Sequence, residues 1–216
     1  MKTTNLTTPS LNALNFIKKL KNRPYGNIKI KCDFNGLKYE LLLLTKETTN
    51  NIKIVRLLAV WRKKSEKWFL KQFKITLKGT RLWLNNNVIK TPDRLLFMIS
   101  VKNKYIGHIG LFRFNFNNHN CEIDNIVRGE KNYKGIMGNA IAHMMVWGKK
   151  NLLLKKYTLQ TASDNKKALT LYKRLGFYES KRTPLVYIKR DNIGEWIKTP
   201  KNYQKKIKRY NISMTQ

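Results

Sequence analysis

Residues Glu122 to Ala140 read Glu-Ile-Asp-Asn-Ile-Val-Arg-Gly-Glu-Lys-Asn-Tyr-Lys-Gly-Ile-Met-Gly-Asn-Ala, and no other stretch constrains the fold as much. Ile123, Ile126 and Val127 alternate with polar residues as in a strand. Gly129 and Gly135 bracket a turn that needs unusual backbone angles. From Ile136, the residues Met137, Ala140, Ile141, Met144, Met145 and Trp147 continue as the apolar face of a helix. A strand that runs through a glycine turn into a helix leaves backbone N–H groups unpaired at the helix start. Together with the positive end of the helix dipole, they make an anion site. The plain alternative is an ordinary strand–loop–helix connection.

The formal net charge of +33 over 216 residues points to an anionic partner, whether nucleic acid, an acidic surface or a phosphorylated small molecule. Lysines are scattered along the whole chain and accompany abundant Asn and Ile, so the charge permits such a partner without naming one. Cys32 and Cys121 have no metal-ligand spacing and form no disulfide framework, so no metal is expected and a reducing compartment is. Without an apolar run of about 18 residues or a secretory leader, no membrane span is expected and the chain reads as cytoplasmic.

In chain order, residues 1–26 read as a loosely attached extension. Asn35-Gly36 predicts a hairpin between Ile28–Asp33 and Leu37–Leu44. Helical spacing follows over Lys46–Trp61, Lys64–Phe73 and Thr80–Val88, the last capped by Thr76 or Thr80. Trp61, Trp68, Phe69, Phe73 and Trp83 concentrate aromatic area there, as core or as pocket walls. Leu95–Val101, Tyr105–Phe112 and Cys121–Val127 read as successive strands, and Tyr157–Thr161 as a short one. Ser163-Asp164 marks a helix start, Ala168, Leu171, Tyr172 and Leu175 form its buried stripe, and Gly176 ends it. Strands at Tyr178 and Leu185–Ile188 precede a basic tail, residues 191–216, with Tyr203, Ile207 and Tyr210 at helical spacing. The tail docks on the domain, covers a dimer seam or meets an acidic surface. The order describes an α+β sheet, mostly antiparallel, with helices on both faces.

Two motifs in this order resemble the GNAT superfamily of acetyl-CoA-dependent N-acyltransferases. Asn132-Tyr133-Lys134-Gly135-Ile136-Met137 is similar to the family's pyrophosphate loop, with Asn132 and Met137 departing from the usual residues. The run from Asn165 through Ala168 and Tyr172 to Gly176-Phe177 is similar to the family's second signature. The resemblance covers Leu37–Arg190 and implies a GNAT domain over residues 27–190, with a splayed parallel strand pair holding acetyl-CoA and releasing CoA. It implies cofactor contacts from Val127, Arg128, Gly129, Asn132, Lys134, Gly135, Ile136, Met137, Gly138, Thr161, Asn165 and Lys173. Tyr172 matches the tyrosine that protonates the leaving thiolate. The base that deprotonates the amine stays open among Glu122, Asp124 and His108.

The early segment is similar to the RimJ-like branch, which includes PseH-like enzymes acting on sugar nucleotides. Where most RimJ-like members carry a Gly-aromatic pair, this chain has Asp124-Asn125, which suits a polyhydroxylated amine. The implied function is acetylation of a nucleotide-linked amino sugar of a surface-polysaccharide pathway, by direct attack of the amine on the thioester. Trp61, Trp68, Phe69, Phe73 and Trp83 are expected to wall its pocket, in a monomer or homodimer. One alternative is acetylation of a protein N-terminus or lysine. Another is a non-enzymatic basic nucleic-acid-binding module, although no motif that reads RNA or DNA is present.

Overall fold

In the computed structural model, residues 8–216 are described, with side chains from Leu11 onward. The Thr- and Asn-rich first seven residues lie outside them. The strands are β1 (Lys29–Phe34), β2 (Leu37–Leu43), β3 (Lys71–Gln72), β4 (Arg94–Val101), β5 (Lys104–Asn115), β6 (Asn120–Arg128), β7 (Lys156–Ala162), β8 (Tyr178–Arg190), β9 (Ile193–Lys198) and β10 (Arg209–Thr215). The helices are α1 (Thr8–Lys21), α2 (Ile52–Lys64), α3 (Leu77–Trp83), α4 (Ile136–Leu152) and α5 (Lys166–Arg174). All ten strands join one sheet in the order β1-β2-β4-β5-β6-β7-β10-β8-β9-β3. Among the described residues its pairs are antiparallel except β6 with β7.

Strand β4 shows why the sheet is covered on both faces. Every residue from Leu95 to Val101 is buried, the near-continuous apolar run expected of a central strand. Leu95, Phe97 and Ile99 pack with α1 and α4, while Leu96 and Met98 pack with α2 and the turn after α3. The hairpin forms where Asn35-Gly36 predicts it, with both residues at positive φ. Thr76 caps α3, its hydroxyl accepting from the Gly79 N–H at 3.0 Å, and α3 continues as a π-turn over Leu84–Ile89.

Five expectations need correction. The supposedly loose residues 8–26 contain α1, whose Ile17 is fully buried and whose Leu20 joins the core. Lys21 donates to the Val88 and Thr91 carbonyls. The helix expected over Lys64–Phe73 is a single 3-10 turn, Glu66–Trp68, followed by β3; pairing of Lys71 and Gln72 with β9 outweighs the local helical spacing. The segments at Tyr178 and Leu185–Ile188 are one thirteen-residue strand. Asn165, not Ser163-Asp164, caps α5, its Oδ1 accepting from Ala168. Asp164 instead pairs with Arg209, and Ser163 Oγ accepts from the Tyr210 N–H.

The fifth correction is the tail. Its aromatic spacing suggests a helix, yet Tyr210 lies in β10, which sits between β7 and β8. Alternation explains this: Arg209, Ile212 and Met214 are buried, while Tyr210, Asn211, Ser213 and Thr215 are partly exposed. Helical spacing of three side chains cannot compete with two open strand edges that need backbone partners.

Candidate active site

Strands β6 and β7 pair only through Asn120–Lys156, Cys121–Tyr157 and Glu122–Thr158, then separate. Strand β6 bulges at this point. Gly110 pairs with Asp124 and His108 with Val127, so Asn125 and Ile126 face the single residue Ile109. Asn125 takes the left-handed conformation, φ 48°, within a bulge that redirects the strand. The splay opens a cleft of about 760 Å³ lined by Val127, Arg128, Gly135, Met137, Gly138, Thr161, Asn165 and Tyr172, among others.

The start of α4 forms one end of this cleft. Gly135 is at φ 86°, and a Cβ there would lie 2.4 Å from the Phe34 ring, so both conformation and space call for glycine. No side chain caps the helix. The first intrahelical bond closes from Asn139 N–H to the Gly135 carbonyl, which leaves the N–H groups of Ile136, Met137 and Gly138 without helical acceptors. Arg128 folds back on its own loop, its guanidinium donating to the Glu130 and Lys131 carbonyls. Gly129 lets that loop lie on Trp61, whose ring would be 2.1 Å from an added Cβ.

A second cavity, of about 250 Å³, has Phe69, Phe73 and Trp83 as walls and includes Arg62, His108 and Asn125 in its lining. Phe69 and Asn125 line both spaces, so the cavity and the cleft meet at the bulge. Of the five aromatics expected to wall a pocket, these three do. Trp61 is buried under the loop, its ring centroid 6.1 Å from that of His108, and Trp68 lines the larger cleft.

The candidate acid–base groups fall in different places. Tyr172 lines the cleft and is 5% exposed; burial pushes its phenol well above the usual tyrosine range. His108 lines the smaller cavity and is buried. Burial lowers its pKa to about 4, with the nearby Arg62 charge acting in the same direction, and its Nδ1 has no hydrogen-bond partner. Asp124 and Glu122 line neither space. Asp124 is ion-paired with Arg94 and accepts from Asn125 Nδ2 at 2.8 Å. Burial raises its carboxyl pKa against the opposing Arg94 charge. Glu122 pairs with Arg113 at 2.8 Å, and burial likewise raises its pKa.

Among the expected cofactor contacts, Gly129, Asn132, Lys134, Ile136 and Lys173 do not line the cleft. Ile136 is core, Asn132 and Lys134 are exposed, and Lys173 lines a separate groove behind α5 with Lys166, Arg182 and Lys208. Sequence reasoning pointed to Asn125 through the Asp124-Asn125 pair but did not single out Arg62 as a site residue. Arg62 follows Trp61 in a helix, so only its place in the last turn, just before the aromatic cluster, hinted at it. The bulge is what turns Asn125, rather than Asp124, towards the cavity.

The pH dependence of stability should reflect His108. Its folded-state pKa of about 4 lies below its reference value of 6.5, so the unfolded chain binds the proton more readily. The resulting stability is present in full above about pH 6.5 and is lost as pH falls towards 4, on the order of 3 kcal/mol in all. Urea denaturation at pH 7.5 and 5 should show this loss in the parent and a smaller one in His108→Gln. An identical loss in both would place the dependence elsewhere.

The acetyltransferase (GNAT) domain family model matches residues 50–178, more than half of the chain. No curated protein sequence matches closely enough to count as a relative. Among solved structures, the ribosomal-protein-S5-alanine acetyltransferase from Vibrio fischeri is 20% identical with TM-score 0.63, over 87% of this chain and 96% of that one. The spermidine N-acetyltransferase from Vibrio cholerae, solved with CoA and spermine, is 17% identical with TM-score 0.61, over 82% and 94%. RimL, a ribosomal alpha-N-protein acetyltransferase, is 12% identical with TM-score 0.61, over 90% and 98%. At these identities the structures share the fold with this chain. The family match, read with the splayed parallel pair and the glycine-initiated helix beside it, establishes that this chain belongs to the GNAT family of acetyltransferases.

Proposed function

We infer that this acetyltransferase acetylates the amine of a nucleotide-linked amino sugar, bound in the cavity that joins the cleft at Asn125. The observation that carries this reading is the character of that cavity. It has aromatic walls, a buried histidine whose Nδ1 has no hydrogen-bond partner, the cations Arg62 and Lys74, and no carboxylate in its lining. Such a cavity offers a polycation nothing to pair with, while rings and basic groups suit a sugar carrying phosphates.

Acetyl-CoA fits the cleft on the evidence of its donor set. The unpaired N–H groups of Ile136, Met137 and Gly138, at the positive end of α4, suit a pyrophosphate. Arg128 and Lys167, also lining the cleft, add positive charge. Asn165 caps its helix through Oδ1, which leaves Nδ2 free to donate to an amide carbonyl. When bound, acetyl-CoA would supply a thioester: a C–N bond forms as the C–S bond breaks, the sulfur leaves as the thiol with a proton from Tyr172, and the proton given up by the nitrogen restores the phenol. Tyr172 holds its proton at the hydroxyl under all ordinary conditions, as a donor on the cleft wall must.

The attacking amine must be neutral, and the cavity favours that form without a carboxylate base. The same desolvation and nearby guanidinium that lower the His108 pKa also disfavour an ammonium ion there. The amine then sheds its proton as it enters, and the buried His108 ring forms part of the wall that positions the nitrogen. Asp124 and Glu122, tied to Arg94 and Arg113, hold the bulged strand in place.

A second reading, acetylation of a protein N-terminus, is favoured by fold neighbours that acetylate ribosomal proteins. The test compares kcat/KM for a nucleotide-linked amino sugar, the free sugar, an N-terminal peptide and spermidine. The nucleotide-linked sugar should lead by at least tenfold, because binding energy far from the reacting nitrogen also serves the transition state. Preference for the peptide would reject the sugar reading. Within the same assay, His108→Ala should lower kcat about 100-fold through lost orientation, with acetyl-CoA affinity unchanged.

A further inference from the structure

We propose that Arg62 is an anion receptor for the acceptor, so that a phosphate or carboxylate on the acceptor is a requirement for recognition. The proposal rests on the reading of the smaller cavity as the acceptor site. The Arg62 Cζ sits over the Phe69 ring, 3.3 Å from its centroid, and 5.5 Å from that of Phe73. One amino group donates to the Lys71 carbonyl at 2.7 Å. No carboxylate forms an ion pair with Arg62 among the described residues, and its remaining donors have no protein acceptor there.

The cation is partly desolvated in this position. Burial draws Arg62 down to about 10, and only Glu66, at a distance, opposes the shift. This half-buried guanidinium is held by the Phe69 ring and a backbone carbonyl on the wall of a cavity, with no carboxylate partner among the described residues. Planar and without an ion pair, it suits a bidentate oxyanion. Lys74, also in the lining, adds a mobile second charge at the exposed side. Because His108 and Asn125 lie on the same lining, the anion and the amine belong to one acceptor molecule rather than to separate ligands.

Two oxyanion sources share this chemistry: the diphosphate of a nucleotide and the carboxylate of an acidic sugar. The experiment titrates UDP and, separately, glucuronate into protein saturated with CoA, which blocks the cofactor's own phosphate sites. One of the two should bind, and Arg62→Gln should weaken that binding about 10- to 100-fold, the loss expected when a charged hydrogen-bond partner is removed. Arg62→Lys, which keeps the charge but loses the planar fork, should give an intermediate loss and serves if Arg62→Gln fails to fold. The proposal is overturned if neither probe binds the saturated parent, or if both variants that fold bind as tightly as the parent. Acetylation assays separate the two levels of inference. Arg62-dependent UDP binding without turnover of any nucleotide-linked amino sugar would reject the proposed function and leave the anion site standing. Turnover of that sugar with equal kcat/KM in parent and Arg62→Gln would do the reverse.

Discussion

Tyr172→Phe is expected to lower turnover about 10²–10⁴-fold, the range for loss of a positioned proton donor, with acetyl-CoA affinity almost unchanged. The ring is held by its surroundings rather than by its hydroxyl: Tyr172 is buried on the stripe of α5 and meets Phe177 edge-on, centroids 6.5 Å apart. Phenylalanine keeps that packing, so thermal stability should stay close to the parent's. Burial raises the phenol pKa, so the side chain is protonated throughout the working pH range and no titration of Tyr172 should appear in the pH profile. Single-turnover kinetics separate the chemical step from product release. An unaltered rate of acetyl transfer in that experiment would reduce Tyr172 to a packing residue.

Gly135→Asp is expected to abolish useful acetyl-CoA binding, and Gly135→Ala is the control that shows why. Both introduce a Cβ into the space held by Phe34, at a φ of 86° that side chains resist. Both should therefore lose stability, by about 1–3 kcal/mol. Only Asp adds a negative charge at the helix start. A like charge about 4 Å from a phosphate costs about 4 kcal/mol at an effective dielectric of 20, which is on the order of 100-fold or more in affinity. Calorimetric titration of acetyl-CoA into both variants, at a temperature where both are folded, gives the comparison. Equal affinities for the Asp and Ala variants would place the pyrophosphate somewhere other than the start of α4.

The parts of the molecule legible in the sequence were those governed by local chemistry. Asn35-Gly36 demands a tight hairpin wherever it occurs between strands, and the chain makes one. Gly135 before Ile136 signals a helix entry with no Cβ, and the helix begins there. Where long-range partners decide, local spacing misled. Lys71 and Gln72 sit in a helical pattern yet are captured by β9, 122 residues or more later in the chain. Tyr203, Ile207 and Tyr210 mark a helical face that the open edges of β7 and β8 overrule. The site divides in the same way. The glycine turn and Tyr172 stood out because their residue types are tied to fixed places on one helix start and one helix face. Arg62 did not, because the rings beside it come from the next segment, and which of Asp124 and Asn125 would face the cavity depended on a bulge that only strand pairing creates.

The position of β10 has a consequence for how the protein is made. Synthesis proceeds from the N-terminus, and domains begin to fold as they emerge. Strand β10 is the last to appear, yet it occupies an interior place, with β7 on one side and β8 on the other. Until residues 209–215 leave the ribosome, the outer edge of β7 and the facing edge of β8 stand unpaired, each able to recruit a foreign strand. Arg209 arrives with the same segment and ties to Asp164 beside the cleft and to the Lys67 carbonyl beside the aromatic wall. A nascent chain can thus form helix α4 well before it can finish either the sheet or the aromatic wall. A chain lacking residues 209–215 would therefore be an aggregation-prone intermediate with two open strand edges rather than a slightly shortened enzyme.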